Sequence, residues 1–207
     1  MIRIATLHAV APRVRYHKGS SALTEGEKLG AWLGSGCNAA GLSHGDAVTN
    51  QAFKSLLSGH NLDGRYLGQN RKRMRRAGWD VVVSVHKSLS VAALSLTSST
   101  GKAVRSAYDT AVRSFADLID TLACRQNAGL RPVDTGNAII AAFTHERSRH
   151  NDPHLHTHFI VMNATLDRNA SGGPSWRSLE PSPLFRQHKA PIWRLTGSCS
   201  GLSCQKA

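Results

Sequence analysis

Apolar positions along the chain alternate in some stretches and recur every three or four residues in others, which divides it into strands and helices. Ile2 and Ile4 alternate with Arg3 and Ala5, predicting a short strand whose period is lost by Thr6 and Leu7. Between Ser20 and Gly68 the chain is rich in Gly and Ser and reads as loops around short elements. Within it, Val48 to Ser58 fits a short helix with Phe53, Leu56 and Leu57 on one side. Trp79, Val81, Val83 and Val85 then alternate with Asp80, Val82 and Ser84, as a strand requires. A long helix is predicted from about Lys102 to Gln126, with Val104, Tyr108, Val112, Phe115, Ile119 and Leu122 at helical spacing. Tyr108 therefore reads as a core residue, and Asn127 and Gly129 supply a stop. Two further strands follow, Asn137 to His145 and His154 to Asn163, joined by the turn-like ERSRHNDP.

The last of these strands carries unusual chemistry. Phe143 to Val161 holds five of the eleven histidines in the chain. His154, His156 and His158 alternate, so a strand lines them along one face and turns Leu155, Thr157, Phe159 and Val161 to the other. An antiparallel hairpin brings His145 beside His156 and His158. Three neutral imidazoles so placed can bind a divalent cation with positions left open for water or substrate. Scattered surface histidines are the competing reading of the same pattern.

Composition narrows the partners. With 207 residues and 41% hydrophobic content, the chain has the size of one ordinary domain with a core of its own. A formal charge of +13 suits a polyanion, with nucleic acid the first candidate. Five cations, Arg71, Lys72, Arg73, Arg75 and Arg76, fall within six residues and are candidates for DNA-backbone contact. Lys87, Ser88 and Ser90 open the helix that follows the Trp79 strand, and a helix N-terminus favours phosphate. Asp80, at the start of an apolar strand, requires a cation or imidazole as partner. Cys37, Cys124, Cys199 and Cys204 form no C-x-x-C pair, which argues against a structural zinc or disulfide framework. No apolar run reaches the roughly 18 residues that span a bilayer, and no signal-type leader opens the chain, so a cytoplasmic protein is expected.

His145, then Asp152-Pro153, then Leu155-His156-Thr157-His158 resembles the three-histidine motif of the MobF-type conjugative relaxases, a branch of the HUH endonucleases. Gly78 to Leu94 is similar to that family's strand followed by K-S-x-S, with His86 where the family often has Pro. Trp32-Leu33-Gly34, Gly41-Leu42-Ser43 and the W-R-x-L segment from Trp176 to Leu179 also match.

The resemblance implies an α+β fold, an antiparallel sheet of about five strands with helices packed on one side. It makes His145, His156 and His158 the ligands of a divalent metal ion (Mg, Mn or Zn), with His154 a neighbour outside the ligand set. It implies that Asp80 orients a ligand histidine or accepts the tyrosine proton. It also implies a catalytic tyrosine near the N-terminus. The family commonly has two tyrosine clusters there, whereas this chain offers Tyr16, with Tyr66 in reserve. The implied activity is metal-dependent nicking of single-stranded DNA at a plasmid transfer origin through a 5′-phosphotyrosine, with other relaxosome proteins as partners. A hydrolase using Asp80 or Glu146 as base, and an inactive DNA-binding remnant, are the alternatives. The resemblance covers a domain of residues 1–189, and residues 190–207 read as an atypical, foreign tail.

Overall fold

A computed structural model describes residues 1–8, 30–68, 76–94, 98–125, 127 and 130–187. In chain order the elements are β1 (Ile2–His8), β2 (Ala31–Leu33), α1 (Gly36–Ala39), α2 (Asn50–Ser58), β3 (Arg76–Ser84), α3 (Lys87–Leu94) and α4 (Ser99–Thr121). They continue with β4 (Cys124–Arg125), β5 (Val133–Asp134), β6 (Ile140–Arg147), β7 (Pro153–Met162), β8 (Thr165–Asp167), β9 (Ser175–Arg177) and α5 (Ser182–Gln187).

Five strands form one antiparallel sheet in the order β1-β3-β7-β6-β2. β7 lies at its centre, which explains the nearly complete burial of Leu155 to Met162, His156 excepted. Phe159, Ile160 and Val161 are fully buried, and each such side chain contributes about 1.5–3 kcal/mol.

Strand alternation sorts the core into two layers. Trp79, Val81, Phe159 and Val161 face α4, where they meet Ala116 and Ile119. Leu155 on the same face meets Ala93 of α3 and Tyr108 of α4. α3 and α4 thus share one side of the sheet. The opposite face, through Leu7, Trp32, Phe143, Ile160 and Met162, packs at one end against Phe53 and Leu56 of α2. Phe53 meets Phe143 edge-on, with ring centres 5.5 Å apart.

Several elements extend beyond or differ from their sequence patterns. β1 runs through Thr6 and Leu7 to His8 because it pairs with β3 along its whole length; Leu7 is buried on the α2 side, and Ile2 and Ile4 pack half-buried on the α4 side. β2 is a strand where the Gly-rich stretch suggests loops, held by pairing of Trp32 with Ala141. The long helix begins and ends earlier than its pattern, capped by the Ser98 hydroxyl, which accepts from the Gly101 N–H at 2.9 Å. The turn-rich stretch after β7 is folded into the small β8–β9 ribbon.

Two contacts fix the frame. Gly78 stands so close to β7 that a Cβ would lie 2.1 Å from the Val161 carbonyl oxygen, so only glycine fits there. Asp120 of α4 accepts from the backbone N–H groups of Ala138 and Ser35, tying the helix end to the entry of β6.

Candidate metal and phosphodiester site

The hairpin β6–β7 brings the histidines together as their spacing demands. His145 pairs directly with His156, and Phe143 with His158. All three imidazoles project from the same face as Ile160 and Met162, at the end of the sheet away from Met162. Their ring centres are 5.3 Å apart for His145–His156, 5.4 Å for His145–His158 and 5.3 Å for His156–His158.

Ring tautomers follow from the partners. The Nδ1 of His156 lies 2.8 Å from the His154 carbonyl oxygen, which can only accept, so Nδ1 carries the hydrogen. The Nδ1 of His158 lies 2.9 and 3.1 Å from the two oxygens of Asp80. With Nδ1 engaged in each ring, Nε2 is the nitrogen that would face a metal, the arrangement a metal-ligating histidine needs. Burial lowers the His156 pKa to about 4, opposed by its bond to the His154 carbonyl and aided by the neighbouring imidazoles, so the ring is neutral at pH 7.

Among the described residues no three His, Cys, Asp or Glu side chains already close around a metal-sized point. Ligand rings bonded through nitrogen at about 2.0–2.1 Å would have centres roughly 4.5–5.2 Å apart. The observed spacings are slightly wider, so small ring rotations bring the set together, and the residues fit a three-imidazole site. His154 stacks on His156 at 4.6 Å with the planes 21° apart. The His145 and His156 rings are near-parallel as well, 24° apart, so ring planes alone do not separate His154 from the other two.

Other candidates are sorted by their contacts. Glu146 is bound to Arg105 of α4, on the far side of the sheet from the imidazoles, and so is not placed as a base for them. Ser90 is fully buried and accepts from the Leu155 N–H at 3.0 Å, so its hydroxyl joins α3 to β7 and is not open to phosphate. His86 accepts from the Ser88 N–H and sits 2.8 Å from the Ser88 hydroxyl, serving as a cap for α3. Lys87 remains exposed beside the β6–β7 turn, 3.6 Å from Asp152.

Arg76 begins β3, whereas Val82 pairs with His158, and six residues of strand separate the two by roughly 20 Å. The end of the basic run is thus remote from the imidazoles. Arg71, Lys72, Arg73 and Arg75 lie outside the described residues, as do Tyr16, Cys199, Cys204 and the tail at 190–207. Tyr66 packs edge-on against His60, with ring centres 5.6 Å apart. Sequence reasoning missed the His154 carbonyl, whose only trace is the H-x-H spacing itself.

Solved structures share this architecture. The chain superposes on a conjugative relaxase TrwC in complex with oriT DNA, in a metal-bound structure, with a TM-score of 0.71 and 29% identity over 90% of this chain and 64% of that one. A TrwC complexed with a 27-mer DNA comprising the recognition hairpin and the cleavage site gives 0.70 and 27%, covering 90% of this chain and 62% of that one. The fold is that of the HUH relaxase palm. A family profile described as TrwC relaxase matches residues 7–191, and the chain belongs to that family of MobF-type relaxase domains. It is also similar to the multifunctional conjugation protein TraI of Escherichia coli, 36% identical over 137 residues, which is 65% of this chain and 8% of that protein. Among the described residues no helix is long and apolar enough to cross a membrane.

Proposed function

We propose that this chain is a DNA relaxase domain that nicks one strand of a plasmid transfer origin and keeps the cut end covalently bound. The observation that carries this reading is the Asp80 carboxylate on His158 Nδ1, beside two more imidazoles on the same sheet face. His145, His156 and His158 would hold a divalent ion, Mg, Mn or Zn. That ion supplies charge stabilisation for the scissile phosphate oxygens. Asp80 acts by orientation, holding His158 in the tautomer that presents Nε2.

Tyr16 is the proposed nucleophile, on the strength of its N-terminal position and its cationic neighbours Arg15 and Lys18. Its phenolic oxygen bonds to phosphorus, the bond from phosphorus to the 3′ oxygen breaks, and the phenolic proton passes in net to that oxygen. The products are a 5′-phosphotyrosine and a free 3′-OH. Because the phosphodiester energy is kept in the new bond, the strand can be rejoined later. Lys87, at the exposed start of α3, and the basic run from Arg71 to Arg76 are proposed to contact DNA backbone. The cytoplasm and other relaxosome proteins complete the setting, and residues 1–189 are proposed as the relaxase unit.

The test is incubation of the protein with labelled single-stranded transfer-origin DNA and Mn or Mg, beside Tyr16→Phe. An adduct that survives denaturation and disappears in Tyr16→Phe is expected. Cleavage without an adduct would instead indicate hydrolysis by water.

A further inference from the structure

Arg3 occupies a position that the nicking chemistry described above leaves unused. Its neighbours Ile2 and Ile4 turn into the α4 side of the core, so alternation turns Arg3 to the face that bears the histidines. Register places it exactly on the line of the site, because Arg3 pairs with Val82 and Val82 pairs with His158. Two strand spacings, about 9–10 Å, therefore separate Arg3 from His158. The intervening floor is Val82, flanked by Ser84 and Ala5, all small to medium and only half-buried. Arg3 itself is exposed. It makes no ion pair with any described residue, and Asp80 directs both oxygens to His158.

An exposed guanidinium with no ion-pair partner among the described residues, two strands from the imidazoles on the same face, is suited to a second phosphate. We infer that Arg3 grips the non-bridging oxygens of a phosphate next to the one held at the imidazoles, so that the floor over Val82 cradles the intervening nucleotide. The inference rests on reading the histidine site as a DNA phosphate site, and it adds a substrate-binding residue that fixes the register of the strand. No base is read in this way, so the contact adds affinity without sequence preference.

The experiment compares the full chain with Arg3→Gln for binding to the single-stranded origin oligonucleotide, by fluorescence anisotropy across a range of salt. One lost phosphate contact should lower the slope of log affinity against log salt by about 0.7 and weaken binding roughly fivefold near physiological salt. A set of oligonucleotides, each with one uncharged methylphosphonate in place of a phosphate, then locates the contact. The wild type should lose affinity at one linkage adjacent to the cleavage site, and Arg3→Gln should be indifferent to that same substitution, with Arg3→Lys in between. Metal binding by calorimetry and the melting temperature should be unchanged in Arg3→Gln, since the side chain is exposed. Identical slopes and identical methylphosphonate profiles in the two proteins would overturn the role of Arg3 alone. A wild type that does not bind the origin strand at all would overturn the DNA reading with it.

Discussion

Asp80 and His158 stand on adjacent strands two residues out of register, Asp80 opposite Ile160 and His158 opposite Val82, and the offset keeps both on one face and lets the carboxylate span the imidazole Nδ1 with both oxygens. A carboxylate in that place fixes the ring plane and leaves one nitrogen for a cation. We predict that Asp80→Asn lowers divalent-metal affinity by about 10- to 100-fold. Calorimetry with Mn, alongside a circular dichroism spectrum that stays native, checks it. Unchanged affinity would mean that strand geometry alone orients His158.

Glu146 is the carboxylate nearest in sequence to His145, yet its partner is Arg105, whose side chain is only 12% exposed. Glu146→Gln should leave nicking within about twofold of wild type while reducing stability by about 1 kcal/mol, since Arg105 loses one of its two charged partners and keeps Asp109. A collapse of nicking with stability preserved would restore Glu146 as a base.

Beneath the histidine row, the fully buried Thr157 hydroxyl lies 2.7 Å from the Tyr108 hydroxyl and 2.8 Å from that of Thr144. The chain of three hydroxyls ties α4 to β6 and β7 between His156 and His158. Thr157→Val keeps the volume but strands the buried Tyr108 hydroxyl and the half-buried Thr144 hydroxyl, so urea unfolding should show a loss of about 2 kcal/mol. An unaltered midpoint would indicate that Tyr108 and Thr144 find other partners.

Cys37 is fully buried, and desolvation pushes its thiol pKa up to about 11, with Asp120 adding to the shift and a backbone hydrogen bond opposing it. The folded protein should therefore resist alkylation at Cys37 at pH 8, read by peptide mass spectrometry, and react there once unfolded. The sign for stability follows. The thiol pKa is higher folded than unfolded, so its contribution is intact below the unfolded value of 9.0 and is lost as pH rises toward 11.

The strongest elements were legible because their patterns match a single period. The H-x-H row, with its apolar underside at Leu155, Thr157, Phe159 and Val161, determined that a strand would carry imidazoles on one side and core on the other. Residues 140–147 and 153–162 then paired as the intervening Asn, Asp and Pro suggested. β2 was illegible because three residues between Gly30 and Gly34 have too short a run to show alternation; its place comes from pairing with β6. The continuation of β1 was hidden for a different reason. Thr6 and Leu7 break the one-sided pattern only because both faces of the sheet are covered there.

Residue types and spacing by themselves determined that this protein carries a strand of metal-competent histidines, an acidic residue in need of a partner, and a charge suited to nucleic acid. Which imidazole that acid serves, that Glu146 belongs to Arg105, that Ser90 is a strut and that Arg76 lies far from the site were decided only by the tertiary structure. The physical reason is that strand register and helix placement set contacts between residues many positions apart. Local periodicity carries the direction of a side chain, but not the identity of what it meets.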